Sequence, residues 1–338
     1  MSQPRVFSDD NKSSAAYRRY LLELFERFCT YRQVAYSGRD DLFEPTTLDP
    51  NRSPVFTRRS ADENVSVASA YPSEAIRHIT SWVPPKQRHR WFRSMRSSQA
   101  LTQSVFGTVS ALNKLHLLNE IKADDGLPAF GKIDTATTLK PEHEVTHLGE
   151  RRRSSIDVWV RGACRVAIEC KFTEQEFGTC SRPRLRKINA KYEEEYCDGS
   201  YTRQRGREER CALAEIGIRY WTYVPQLFRW GSDADHPICP IRDCYQLVRN
   251  VLASCVAEDG RLTCENAHVL VLYDDRNPSY WPGGKADGQW RMTMQAIRQP
   301  DTLRRCTWQR LLSHLSDDLE LRPLLAVLST KYGMPATP

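Results

Sequence analysis

The sequence predicts an α/β protein, a compact mixed sheet flanked by helices. Three observations carry this. Segments with apolar residues at helical spacing lie at both ends of the chain, the apolar period shortens toward two in the middle, and Gly-containing turns separate the short apolar runs there. With 338 residues, 40% hydrophobic and 10% aromatic, the chain can bury a sizeable core.

Ala15 to Gln33 carries Tyr20, Leu21, Leu24, Phe25 and Phe28 on one helical face and reads as an amphipathic helix. Ser37 to Ser73, rich in Asp, Pro, Ser, Thr and Asn and without a period, reads as an irregular, partly mobile connector. Ser97 or Ser98 can cap a helix running to about Leu118, striped by Leu101, Val105, Val109, Leu112, Leu115 and Leu118. His143–Leu148, Ile156–Arg161 and Arg165–Phe172 read as strands. Glu193–Glu215 is charged and loosely helical, and an aromatic segment follows at Tyr220–Trp230. Then come a helix from Pro240 to about Val256, a strand at His268–Tyr273 and a last helical segment over Leu303–Leu328, broken near Pro323. The organisation expected is an N-terminal helix and connector (1–73), a core (74–300) and a helical C-terminal segment packing on it (301–338).

Lys and Arg number 49 against 42 Asp and Glu, a formal charge of +7. Residues 75–119 contain no acid, yet hold Arg77, Lys86, Arg88, Arg90, Arg93, Arg96 and Lys114, so this window equals the whole excess. Such local basicity is expected of a surface facing a polyanion. Within it, Lys86, Arg88, Arg90, Arg93 and Arg96 interleave with Trp91 and Phe92, a pattern suited to phosphate contact with aromatic stacking or packing. Arg151, Arg152 and Arg153 are also expected to contact backbone phosphates. No long apolar run and no signal-peptide core occur, so the expectation is a soluble cytoplasmic protein with no membrane contact.

The segment from Ser155 to Phe172 holds the chemistry. Two apolar strands meet at a turn, and each carries an acid among large apolar neighbours. Side chains alternate along a strand, so Glu169 and Lys171 share a face. With Gly162-Ala163-Cys164 as the loop, Arg161 pairs with Arg165, and counting back sets Asp157 opposite Glu169. Opposed carboxylates repel, so a positive charge belongs between them. A divalent cation with oxygen ligands suits the pair and Lys171 adds a fixed charge. Such a site suits phosphodiester hydrolysis, with a metal-activated water positioned by Lys171. An Asp with a downstream Glu-x-Lys also occurs on solvated strand faces; the hairpin, its apolar flanks and the basic window favour the site.

Asp157 with Glu169-Cys170-Lys171 resembles the active-site hairpin of the PD-(D/E)xK nuclease superfamily, the restriction-endonuclease-like fold. Further pieces in order resemble a bacterial branch of it: Ser97–Ala100, Gly149–Val160, Glu169–Glu174, Gly217–Trp221, Tyr245–Asn250 and Asp275–Pro278. The likeness spans Ser97 to Trp290, and Ile156 stands where a Pro is usually written. It implies a Mg²⁺- or Mn²⁺-dependent DNA endonuclease with Asp157, Glu169 and the Cys170 carbonyl as metal ligands and Lys171 as the catalytic lysine. It also implies a polar residue from a neighbouring helix, a role that Gln246, or an acid such as Glu144 or Glu150, could fill. Defence against foreign DNA is implied by the same likeness, and a homodimer fits an enzyme that cuts both strands. A non-cleaving nucleic-acid-binding protein, or a nuclease acting on RNA or single strands, are the alternatives.

Eleven cysteines without a signal peptide argue for thiols or a metal site rather than disulfides. Cys180, Cys197, Cys211 and Cys239 are candidates for a zinc or iron–sulfur centre, though no CxxC occurs. His143 and His147, on one strand face, read as core or surface histidines. Trp281-Pro282-Gly283-Gly284 reads as a turn and not a phosphate loop.

Overall fold

A computed structural model describes residues 13–35, 42–45, 53–150, 154–201 and 208–334. In chain order the elements are α1 (Ser14–Ala35), α2 (Ser73–Ser81), α3 (Ser98–Ala111), β1 (Thr138–Glu144), β2 (Ser155–Arg161), β3 (Arg165–Cys170), the single turns α4 (Tyr192–Glu195) and α5 (Ala212–Glu215), α6 (Tyr220–Leu227), α7 (Tyr245–Cys255), β4 (Ala267–Tyr273), α8 (Lys285–Ala296), β5 (Leu303–Thr307), α9 (Trp308–Leu315) and α10 (Arg322–Tyr332). The strands form one mixed sheet in the order β1-β2-β3-β4-β5, antiparallel across the first three and parallel across the last three.

Alternation along the strands sends apolar side chains to two cores. Val158, Val160, Val166, Ile168, Leu270 and Leu272 pack against α1, α3, α9 and α10, while Trp159, Ala167, Val269 and Val271 pack against α6, α7 and α8. Strands β3 and β4 are covered on both faces, and all seven residues of β4 are buried, as parallel strands between helical layers require. The architecture is α/β, consistent with a restriction-endonuclease-like core.

Five boundaries differ from the sequence expectation. Helix α3 ends at Ala111 rather than near Leu118, because Asn113 turns left-handed at φ 56° and Leu115–Glu120 winds as a separate 3₁₀ segment. β1 lies at Thr138–Glu144, not His143–Leu148, because its pairing with β2 runs from Thr138 opposite Arg161 to Glu144 opposite Ser155. It is an edge strand, which is why it tolerates Pro141 and its charges. Leu303–Thr307 is a strand beside β4 rather than the start of a helix; the Thr307 side chain accepts from the Arg310 N–H and begins α9 there. Helix α7 starts at Tyr245, five residues after Pro240, and α8 occupies a segment with no assigned element. The described part of the expected connector is not loose. Phe56 is fully buried, Val65 and Ala68 join the α1 core, and Asn64 donates to the Phe92 and Ser94 carbonyls. Isolated apolar anchors with satisfied backbone groups hold such a segment without any period.

Among the described residues no helix is long and apolar enough to cross a membrane.

Candidate active site

The β2–β3 hairpin pairs in the counted register, with Arg161 opposite Arg165 and Val158 opposite Ile168. One step further lie Asp157 and Glu169, and the Cys170 N–H donates to Asp157 Oδ2 at 2.7 Å. β1 extends the rank. Its pairing with β2 leaves Glu142 at the step between Pro141–Val158 and His143–Ile156, level with Asp157. Three acids thus stand abreast on three adjacent strands. Glu142 holds a left-handed backbone, φ 45°, which a non-glycine residue adopts only where its surroundings enforce it.

Helix α7 crosses this rank and satisfies Glu169. Gln246 Nε2 donates to Glu169 Oε1 at 2.7 Å, and Asn250 Nδ2 donates to Oε2 at 2.8 Å. Their spacing of four residues puts both amides on one helix face. Lys171 Nζ lies 2.9 Å from Glu169 Oε1 and donates to Gln246 Oε1, also at 2.9 Å. Gln246 therefore bridges the acid and the lysine, and the Gly178 N–H fixes its carbonyl oxygen at 2.9 Å. Arg249 orients Asn250, donating to its Oδ1 from Nε at 3.1 Å and from a terminal nitrogen at 2.7 Å. From the other side, α3 opens at the site. Gln99 donates to Glu142 at 2.7 Å, and Ser98 donates to Glu174 at 2.7 Å.

The electrostatics follow from crowding. Burial, and then repulsion from Glu169 and Glu142, push the Asp157 carboxyl well above the usual range, and Lys171 and the Cys170 N–H offset only part of this. Glu142 is raised for the same reasons, burial first, despite bonds from Ser155 and Gln99. Burial pulls the Lys171 ammonium down, but Glu169, Glu174 and Asp157 outweigh it and hold its pKa above the ordinary value. Lys171 is thus a cation and a donor at neutral pH, not a base.

Whether these residues fit a divalent cation is decided by their donor set. Among the described residues no three His, Cys, Asp or Glu side chains are placed to hold an ion, so a centre here would draw on two carboxylates, a backbone carbonyl and water. That is the habit of Mg²⁺, which binds through one or two carboxylates and keeps several waters. Glu169 accepts three hydrogen bonds, leaving one of about four lone-pair positions open. The mutual repulsion that raises Asp157 and Glu142 is what a cation would relieve. The set fits.

Glu142, Asn250, Glu174 and Gln99 are the side chains that sequence reasoning missed as site members. Ser97–Ala100 and Tyr245–Asn250 supplied part of the resemblance without a role for any residue but Gln246. Glu142 lay in a stretch not read as strand. Glu150 is engaged elsewhere, accepting from the Tyr220 hydroxyl and from the Ser154 N–H at 3.1 Å. Asp274 is fully buried, with Arg276 at 2.8 Å and the Tyr17 hydroxyl at 2.9 Å. His143 stacks on Trp159 at 4.9 Å, and burial holds its pKa down at about 4.

The basic window is partly neutralised in space. Arg88 pairs with Asp62 at 2.6 Å, Arg93 with Glu44, and Lys114 with Asp318 at 2.9 Å and with Glu320. Arg77, Lys86 and Arg90 are exposed, Arg90 lying over the exposed Trp91, whereas Phe92 is core. Arg151, Arg152 and Arg153 lie outside the described residues. Cys180, Cys197, Cys211 and Cys239 line one apolar cavity of about 20 Å³, but they are not among groups placed to hold an ion. All eleven cysteines are thiols rather than cystines.

Neither a search of curated proteins nor one of solved structures finds a match. The family described as restriction endonuclease associating with ARP matches residues 56–333, most of the chain.

Proposed function

The chain belongs to the family of restriction endonucleases associating with ARP, and from that premise we propose that it is a metal-dependent DNA endonuclease of the PD-(D/E)xK type. The observation that carries the reading is the convergence of Asp157, Glu169 and Lys171 at one end of β3, with Gln246 bridging the last two. A Mg²⁺ or Mn²⁺ ion held by Asp157, Glu169 and the Cys170 carbonyl would supply an activated water and neutralise phosphate charge.

The chain's own residues do the positioning. Lys171, kept protonated by its acidic neighbours, donates to the attacking water or to a phosphate oxygen and stabilises charge that grows on the phosphate in the transition state. Gln246 and Asn250 hold Glu169 in one rotamer, so its oxygens need no reorganisation. The water oxygen bonds to phosphorus as the phosphorus–oxygen bond to the leaving nucleotide breaks. A role in defence against foreign DNA, a cytoplasmic location and a homodimer that cuts both strands complete the proposal.

The test is incubation of the protein with plasmid, linear duplex, single-stranded DNA and RNA, with Mg²⁺, Mn²⁺ or EDTA, beside Lys171→Ala. Metal-dependent cleavage of duplex that the variant lacks is the expected result. Binding without cleavage under any metal would leave a nucleic-acid-binding protein, and cleavage confined to RNA or single strands would change the substrate.

A further inference from the structure

Helix α1 lies before residue 56, where the family match begins, yet it closes one side of a cleft beside the active strand. This cleft, a cavity of about 230 Å³, is lined by Arg18 from α1, Arg96 from the segment before α3, and Ser14, Thr173, Gln175 and Asn277. Thr173 follows Lys171 by two residues and donates to the Arg96 carbonyl at 3.5 Å. Asn277 donates to the Phe172 and Glu174 carbonyls at 3.1 and 2.9 Å. The cleft is therefore built onto the backbone that carries the catalytic lysine.

Its charge is unbalanced. Among the described residues no Asp or Glu lines it. Among the described residues neither Arg18 nor Arg96 has a carboxylate partner, and the buried Nε of Arg96 has no acceptor. Arg96 is half-buried and feels Arg18 as a like charge. This contrasts with Arg88 and Arg93 in the same window, each spent on an acid. Two guanidinium groups left without a counter-charge, among hydroxyl and amide side chains, call for an anion with several oxygens.

We propose that Arg18 and Arg96 seat a phosphate of the DNA backbone flanking the scissile one, which makes α1 part of the DNA-binding surface. The proposal rests on the nuclease reading above and adds to it a residue outside the family match. Arg18 carries the test because it is exposed and, among the described residues, its hydrogen bond runs from Nε to the Ser14 carbonyl at 3.3 Å within its own helix. Its replacement should leave the fold intact, which the melting temperature checks.

Binding of a short fluorescent duplex in Ca²⁺ is measured across a salt series for the wild type, Arg18→Ala, Arg18→Glu and Arg96→Ala. Arg18→Ala is expected to weaken binding roughly tenfold, the loss of one charge-assisted contact. It should also lower the slope of log K against log salt by about 1. Arg18→Glu should weaken binding further than Arg18→Ala. Wild-type affinity and slope in both Arg18 variants overturn the proposal and leave the nuclease reading standing. A wild type that neither binds nor cleaves duplex removes both. If inorganic phosphate stabilises the wild type but not Arg18→Ala, and duplex affinity is unchanged, the cleft takes free phosphate and the DNA assignment fails.

Discussion

Replacing Asp157 by asparagine should move stability and chemistry in opposite directions. Burial and the neighbouring Glu169 and Glu142 hold the Asp157 pKa well above its usual range. A carboxyl raised in the folded state binds its proton more tightly folded than unfolded. Metal-free stability therefore falls as pH climbs from the ordinary Asp value through the raised one. Each pKa unit corresponds to about 1.4 kcal/mol at pH above both values. Asparagine is neutral throughout and escapes this cost. Its amide oxygen can still accept the Cys170 N–H, which lies 2.7 Å from Asp157 Oδ2, at a loss of about 1 kcal/mol for the missing charge. The net expectation in EDTA at mildly alkaline pH is a higher melting temperature for the variant than for the wild type. Adding Mg²⁺ should reverse the order. A bound cation at a hundredfold excess over its dissociation constant stabilises the wild type by about 2.7 kcal/mol, whereas the variant has lost a ligand and its cleavage is abolished. Thermal melts with EDTA and with Mg²⁺, beside a plasmid assay, give the answer. An Asp157→Asn protein that is less stable in EDTA at that pH, or that cleaves at the wild-type rate, would refute the repulsion argument or the metal role respectively.

Lys171→Met should lower the cleavage rate by about 10²–10³ with duplex binding retained, as removal of one transition-state donor does elsewhere; a rate near wild type in a single-turnover assay would take Lys171 out of the chemistry. Asn250→Ala leaves the buried Glu169 Oε2 without its donor and takes from Arg249 its bonds to Asn250, leaving the guanidinium only the Ser155 carbonyl at 2.8 Å, and should cost about 2–4 kcal/mol in denaturant unfolding, so an unchanged midpoint would count against the network. Arg88→Ala should leave duplex affinity and its salt slope unaltered, because Arg88 is spent on Asp62, whereas Lys86→Ala and Arg90→Ala should each lower the slope by about 1. The reverse pattern would mean that charge pairing does not decide which cations reach DNA.

The hairpin was legible because its information is local. A turn of fixed length sets the register, the register sets which side chains share a face, and Asp157, Glu169 and Lys171 follow by counting. The helices with clean periodicity, α1 and α3, were legible for the same reason. Glu142 was not, since an edge strand with Pro141 and alternating charges has no strand signature until β2 pairs with it. β5 was likewise hidden: Leu303-Arg304-Arg305-Cys306-Thr307 becomes a strand by lying along β4. Nor could composition separate Arg96 from Arg88 and Arg93. All three belong to one acid-free run, and Asp62 and Glu44, distant in sequence, neutralise two of them. By itself the sequence determined the sheet-and-helix class and which ionisable groups meet on one hairpin, because both rest on neighbours in the chain. Tertiary structure alone decided which acids crowd Asp157, which amides hold Glu169 and which cations keep their charge, because electrostatic balance depends on distance in space rather than along the chain.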